Sequence, residues 1–287
     1  MPGDGREDAL KDEDALVVRP ARASDMDAIG EISSLTWEGH DYLHLVAGHW
    51  LAEGGLFVGE LQGRVIGTGR ISPMPGGVLW LEGLRVHRDW QGRGYGRSIS
   101  EWLVREGRKR ISEGVADAME FCTYVFNDRS ISTSRSQGFR QVDEFWVLYR
   151  EGGPPGDGPG SAAVREPSMR DYEGYGTHVP CGWKPPRNVP ESLRWMTDRC
   201  RFYAAGDGTP FHECGERAFT PGSGTPSGGA NFFDAVDSLL HERGEGDCEI
   251  ILGADRGDLV DAAIGRRFAF WDETGKPNMQ VYRLDQA

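Results

Sequence analysis

Apolar positions along residues 16–150 follow two alternating periods, and the order of those periods predicts an order of elements. Leu16 to Arg19 is a short β-like run. Ser24 then offers an N-cap with Asp27 three residues on, and Met26, Ile29 and Ile32 fall at helical spacing. Tyr42, Leu45, Val46, His49 and Trp50 continue an i, i+3, i+4 pattern and predict a second helix. Leu56 to Leu61 and Arg64 to Ser72 read as strands joined at Gln62-Gly63; a turn over 73–77 follows, and Val78 to Val86 is the most strand-like run of the chain. Ile99, Trp102, Leu103 and the aliphatic part of Arg110 line one face of a further helix. Ala118 to Tyr124 is a strand, Asp128 to Gln137 a helix, and Phe139 to Val142 with Phe145 to Tyr149 a closing hairpin. The predicted order is β-α-α-β-β-β-α-β-α-β-β, a mixed sheet with one parallel crossover.

The pattern breaks at 151–162, a Gly/Pro-rich stretch that buries nothing and reads as a linker. The expected organisation is a disordered acidic tail (1–15), a first domain (16–150), the linker (151–162) and a second α+β domain (163–287). The second domain is expected to hold a helix over Phe232 to Glu242, a strand over Cys248 to Gly253 and a helix over Asp258 to Arg266. A hairpin of Phe268 to Trp271 with Met279 to Leu284 should close it. This succession echoes the end of the first domain and suggests a degenerate second copy of it, the alternative being an unrelated α+β cap. Gly182 to Met196, with Trp183 and Trp195, reads as the aromatic edge of a core, the alternative being a substrate-facing lid, and Pro221 to Gly229 reads as a loop.

Composition narrows the functions open to such a chain. The net charge of −13 opposes nucleic-acid binding. No run approaches the ~20 apolar residues of a membrane span, and the polar N-terminus lacks an apolar signal core, so a cytoplasmic setting is expected. The five cysteines are scattered, odd in number and without C-x-x-C spacing. That pattern argues against a disulfide framework and against a closed zinc site. Cys200, His212 and Cys214 are accordingly read as core residues rather than metal ligands. No metal is expected.

The chemistry concentrates at Gln91-Gly92-Arg93-Gly94-Tyr95-Gly96, between the strongest strand and an amphipathic helix. Three glycines let backbone N–H groups converge on a ligand without Cβ interference. The helix that follows adds its free N–H groups and positive dipole end, a combination suited to a pyrophosphate. From Arg85 to Arg110 eight Arg or Lys face three acids, a local excess of positive charge inside an acidic chain. The loop comes fourth in strand order and spaces its glycines differently from a dinucleotide fingerprint, and it lacks the Gly-Lys-Ser/Thr of a Walker loop.

Leu84 to Gly96 resembles the coenzyme-A-binding segment of the GNAT N-acetyltransferases, whose core is Gln/Arg-x-x-Gly-x-Gly/Ala. Asn127-Asp128-Arg129-Ser130 followed by Gln137-Gly138-Phe139 resembles a second element of that family, and the resemblance spans residues 16–150. It implies the GNAT fold, an α+β arrangement of a mixed sheet flanked by helices, with acetyl-CoA as co-substrate and a primary amine as acceptor. It further implies that Leu84, Arg85 and Val86 offer backbone groups to the pantetheine arm. Gln91, Gly92, Arg93, Gly94, Tyr95, Gly96 and Arg97 would cradle the pyrophosphate, and Asn127 and Ser130 would lie near the pantetheine. Glu82 is expected as general base, raised toward neutrality by its apolar neighbours, or as a contact for the substrate ammonium; an Arg ion pair is the alternative. His87 is the second candidate base. The family's leaving-group tyrosine falls here on Ser134, so Tyr124 is the expected substitute, or the thiolate leaves unaided. Glu82-Gly83-Leu84-Arg85-Val86 together with a long C-terminal extension also resembles histidine N-acetyltransferases. The expected partners are acetyl-CoA and a small amine, with no nucleic acid and no membrane, in a monomer or homodimer. Two other readings remain open: a non-catalytic acyl-CoA sensor or scaffold, and an acetyltransferase of peptide N-termini.

Overall fold

The computed structural model describes residues 15–153, 160–215, 217–272 and 275–285. The acidic segment 1–14 and residues 154–159, half of the expected linker, lie outside the described residues. Contacts gather the chain into two compact units. One holds the chain up to Phe121 with Arg135–Gly138 and the end from Leu284; the other holds Cys122–Ser134 and Phe139–Arg283.

The first unit is built on strands β1 (Val17–Pro20), β2 (Leu56–Leu61), β3 (Arg64–Met74), β4 (Val78–Val86) and β5 (Ala118–Tyr124, which continues into the second unit). They pair in that order, antiparallel up to β4. β5 joins β4 in parallel over Val78–Trp80 and Ala118–Glu120, the crossover being helix α3 (Tyr95–Ser112). Helices α1 (Met26–Ser34) and α2 (Leu43–Glu53) pack Ile29, Ile32, Leu43, Ala47 and Trp50 against Leu56, Val58 and Val65. The buried face of α2 is therefore Leu43, Ala47 and Trp50, while Leu45 is exposed, a one-residue correction of the phase read from the sequence. A Cβ on Gly59, Gly67 or Gly69 would fall within 2.7 Å of Ile99 or Leu103, so these three positions let α3 lie close on the sheet. That close packing fixes where the N-terminal end of α3 stands relative to β4.

The second unit contains α4 (Asp128–Ser136) from its start as far as Ser134 and strands β6 (Arg140–Arg150), β7 (Ala162–Val164), β8 (Cys200–Ala205), β9 (Pro210–Cys214), β10 (Ala218–Pro221), β11 (Cys248–Gly253) and β12 (Met279–Asp285, to Arg283). Its helices are α5 (Pro190–Thr197), α6 (Ala230–Arg243) and α7 (Gly257–Gly265). The strands pair in the order β12-β6-β11-β10-β9-β8-β7, and β10 with β11 is the parallel pair. Phe232, Phe233, Leu239 and Leu240 of α6 and Leu259 of α7 pack on Leu148, Phe219, Ile250 and Leu252. Each unit thus has a mixed sheet flanked by helices, the α+β class expected.

Three further readings change. The hairpin expected at 139–149 is one strand, β6, and it pairs with β11 and β12, although sequence places it in the first domain. Asp143 does not turn the chain: its carboxylate accepts from Thr177 Oγ1 (2.8 Å) and the His178 amide (3.0 Å), and the register slips beside it. With those bonds made, a polar residue can stay inside a strand. Phe268 to Trp271 forms no hairpin with β12; Ala269 makes an isolated bridge to Tyr149, and β12 lies along the other end of β6. The scattered cysteines do form a disulfide, between Cys200 and Cys214. They are direct partners across β8 and β9, a proximity that strand pairing creates and linear spacing hides.

The crossover β10–α6–β11 repeats the topology of β4–α3–β5, and the loop over 222–229 occupies the place of the loop over 87–94. Both helices follow a left-handed glycine, Gly94 at α3 and Gly229 at α6. The second loop is filled by its own chain. The Asp258 carboxylate accepts from the Gly228 amide (3.4 Å), and Arg256 holds both that carboxylate and the Thr225 carbonyl.

Candidate functional site

Two local features shape the C-terminal end of β4. Gly83 sits at φ +67°, and the register against β3 slips there, pairing Arg70 with Glu82 but Thr68 with Arg85. Thr68 Oγ1 fastens the bulge by donating to the Gly83 carbonyl (2.8 Å), and a Cβ on Gly83 would enter the Trp50 ring at 2.6 Å. On its other side β4 pairs with β5 only as far as Trp80. Among the described residues no strand pairs with β4 beyond Trp80 on that side, and side chains take up part of its backbone, the Leu84 carbonyl accepting from Arg85 Nη1 (3.0 Å) and the Val86 carbonyl from Gln91 Nε2 (2.9 Å).

The glycine loop follows. A short 3₁₀ turn over Arg88–Trp90 is capped by His87 Nδ1, which accepts from the Asp89 amide (3.2 Å). Gly92 (φ +76°) and Gly94 (φ +89°) then swing the chain into α3, with open space where a Cβ would stand. Among the described residues no carbonyl accepts from the amides of Gly92 to Arg97. Six backbone donors at the positive end of an 18-residue helix form a concave anion cradle. The expected residues Gln91, Gly92, Arg93, Gly94, Tyr95, Gly96 and Arg97 are brought together here. Gln91 Nε2 donates to the Val86 carbonyl (2.9 Å) and ties the loop to the strand, Arg93 lies over the Trp90 ring, and Arg97 pairs with Glu101. Arg85 turns away from the loop toward Asp41 (2.9 Å) and stacks over Trp37.

Glu82 projects from β4 with its side chain largely buried. Oε1 accepts from Ser72 Oγ (2.7 Å) and Arg70 Nη1 (3.2 Å). Arg70 also reaches Glu53 (2.6 Å) and lies over the Trp50 ring. The Arg ion pair, one of the two readings of Glu82, is present, and the carboxylate belongs to a carboxylate–guanidinium–carboxylate chain. Arg70 was missed from sequence, although a signal existed: counting back from the Met74–Val78 turn places Arg70 opposite Glu82. The second candidate base, His87, is buried with Nε2 3.3 Å from Glu31 and Nδ1 on the Asp89 amide, so both ring nitrogens are engaged within the protein.

Tyr124, Asn127, Ser130 and Ser134 belong to the second unit. The Tyr124 hydroxyl donates to Asp272 (2.9 Å), and burial with that bond pushes its pKa up to about 12. Asn127 bonds Thr123 Oγ1 (3.1 Å) through its amide and receives the Ser130 amide (3.4 Å), acting as the N-cap of α4. Ser134 is buried on α4.

Comparison with known proteins identifies the first of these assemblies. Residues 26–139, which contain β4, the glycine loop and α3, match the acetyltransferase (GNAT) family model. This segment is a GNAT domain. A search of curated protein sequences finds no match. Among solved structures, a GCN5-related N-acetyltransferase from Sphaerobacter thermophilus is 16% identical over 96% of each chain, with a TM-score of 0.64. A tandem GNAT protein from the clavulanic acid biosynthesis pathway is 13% identical over 95% of this chain and 99% of that one, with a TM-score of 0.59. At these identities the likeness is one of fold, and it extends through both units. That likeness supports a two-domain GNAT arrangement of the fold. No described helix is long and apolar enough to cross a membrane.

The glycine loop of the GNAT domain fits a coenzyme A pyrophosphate on two grounds from its own geometry: amides with no carbonyl acceptor among the described residues, and positive-φ glycines with open Cβ space. The loop over 222–229 in the second half fails the same test, because Asp258 already holds the Gly228 amide.

Proposed function

We propose that the chain is an acetyl-CoA-dependent N-acetyltransferase whose acceptor is the primary amine of a small molecule or amino acid. The amides of Gly92 to Arg97, which have no carbonyl acceptor among the described residues and stand at the positive end of α3, carry this reading, because they suit a pyrophosphate where β4 parts from β5. Leu84 and Val86 bind the arm, and the loop binds the phosphates. The co-substrate supplies an activated acetyl group. Glu82 accepts the proton of the incoming amine as the new C–N bond forms and the thiolate departs. Arg70 and Ser72 hold the Glu82 carboxylate in place for that transfer. The Tyr124 proton is committed to Asp272 and Ser134 is buried, so the thiolate leaves with little proton donation, consistent with a slow enzyme. The site is proposed to work in the cytoplasm without a catalytic metal, in a monomer or homodimer.

The same commitment of Tyr124 favours one second reading, a GNAT-fold sensor that binds acyl-CoA without turnover. Thiol release from acetyl-CoA, followed across a panel of amines and amino acids, separates the two. Release accelerated by an amine supports the enzyme. Binding of acetyl-CoA with no accelerating amine leaves the sensor, and no binding at all removes both.

A further inference from the structure

Three of the chain's five cysteines converge at one point of the second unit, away from every residue assigned above. Cys200 opens β8 and Cys214 closes β9, directly opposite one another. Cys181 enters from the segment before α5, its sulfur 2.8 Å from that of Cys214 and 3.3 Å from that of Cys200. His212 lies two residues before Cys214 on the same face of β9, and one of its ring nitrogens is within 4.8 Å of the Cys181 and Cys214 sulfurs. Cys181, His212 and Cys214 are buried among Tyr172, Tyr175, Val179, Met196 and Phe202.

We propose that Cys181, Cys200, Cys214 and His212 form a tetrahedral site for zinc(II), in exchange with the Cys200–Cys214 disulfide. The near-equal distances of the Cys181 sulfur from its two neighbours place it beside the disulfide rather than on its axis. An attacking thiolate needs the axial approach, so the trio is arranged poorly for thiol–disulfide exchange and well for enclosing a common centre. Burial also keeps the Cys181 thiol protonated, its pKa pushed up to about 12, which further disfavours it as a nucleophile. With Zn–S near 2.3 Å, sulfurs around one zinc stand about 3.7 Å apart, so each Cys181 separation has to grow by only about 1 Å or less.

His212 is prepared as the fourth donor. The Pro180 carbonyl (2.9 Å) can only accept, so Nε2 carries the proton, and the lone pair lies on Nδ1, where the Tyr172 hydroxyl donates to it (3.0 Å). A ring N–H fixed on a backbone carbonyl is the outer-shell arrangement that orients metal-binding histidines. The ion takes the Nδ1 lone pair in place of the Tyr172 hydroxyl. Three thiolates with one imidazole suit zinc over harder cations. The exchange balances: a dithiol supplies two electrons and two protons to open the disulfide, or a phosphine supplies the two electrons and becomes its oxide while water supplies the oxygen and the two protons; zinc then displaces three thiol protons to solvent. A disulfide oxidant reverses it, taking two electrons and releasing the ion.

Cobalt(II) titration of the full chain, reduced with a phosphine and freed of metal, tests the site. The expected result is a tetrahedral thiolate–cobalt spectrum that saturates at one ion per chain and is abolished by zinc. Cys181→Ser should weaken cobalt binding by at least about tenfold, while Cys248→Ser, at a buried cysteine elsewhere in the unit, should not. Alkylation followed by mass spectrometry gives an independent reading, with zinc protecting Cys181, Cys200 and Cys214 together. A folded, reduced chain without the tetrahedral spectrum overturns the proposal. So does an undiminished spectrum in Cys181→Ser, or zinc that leaves the three cysteines equally reactive.

Discussion

Glu82 has two neighbours that the sequence did not reveal, and they change what its replacement should show. Glu82→Gln keeps the size of the side chain and a bond to Ser72, but it removes the proton acceptor and uncouples Arg70. Loss of a positioned base costs about 10²- to 10⁴-fold. The variant is therefore expected to lose that much of kcat at neutral pH while KM for acetyl-CoA changes little, as steady-state kinetics with a saturating amine would read. An unchanged kcat would reduce Glu82 to a partner of Arg70. Other single residues show where sequence reading stops. The glycines at 92 and 94 were legible because their loop admits few other residue types. The Asn127 side chain was not: the bonds it makes to Thr123 and Ser130 as a helix cap depend on a turn that linear spacing does not define.

At the scale of elements, strands with one buried face and turns rich in Gly or Pro were read closely, and β4 begins and ends where its hydrophobic run does. The misreadings occurred where tertiary bonds overrode local pattern. β6 continues through Asp143 because Thr177 and His178 satisfy the carboxylate, and α2 is apolar nearly all round, so its periodicity left the buried face undetermined. The Gly83 bulge was silent as well, since a lone glycine in a strand does not announce how its neighbours re-register. Gly83→Ala puts a methyl into the Trp50 ring and forces a side chain into positive φ. It should cost on the order of 1–3 kcal/mol, measured as a lower urea midpoint with unchanged m-value. A stability equal to wild type would show that the bulge relaxes freely.

For the whole molecule, the GNAT character of residues 26–139 was legible from two short motifs, whereas composition marks a Gly/Pro stretch and says nothing of the contacts that gather the chain into units dividing within β5. Stability should carry a definite pH signature in the first unit. The Asp25 carboxyl is held below its usual range by Arg19 and, against the effect of burial, by the Arg22 amide. A depressed folded value means that the stabilisation is complete above the unfolded value of about 3.9 and is lost as pH falls below it. Asp25→Asn should melt earlier than wild type at pH 7, by an amount on the order of 1–3 kcal/mol, and the gap should close as pH drops below about 4. A gap constant with pH would assign the difference to packing. The edge of β4 beyond Trp80 has a consequence of its own. A stretch of strand with no neighbour along one side is a template on which another polypeptide can add a strand. With a coenzyme along it, as proposed, that strand would be capped, so added acetyl-CoA should lower any self-association of the protein, which light scattering with and without the coenzyme would read.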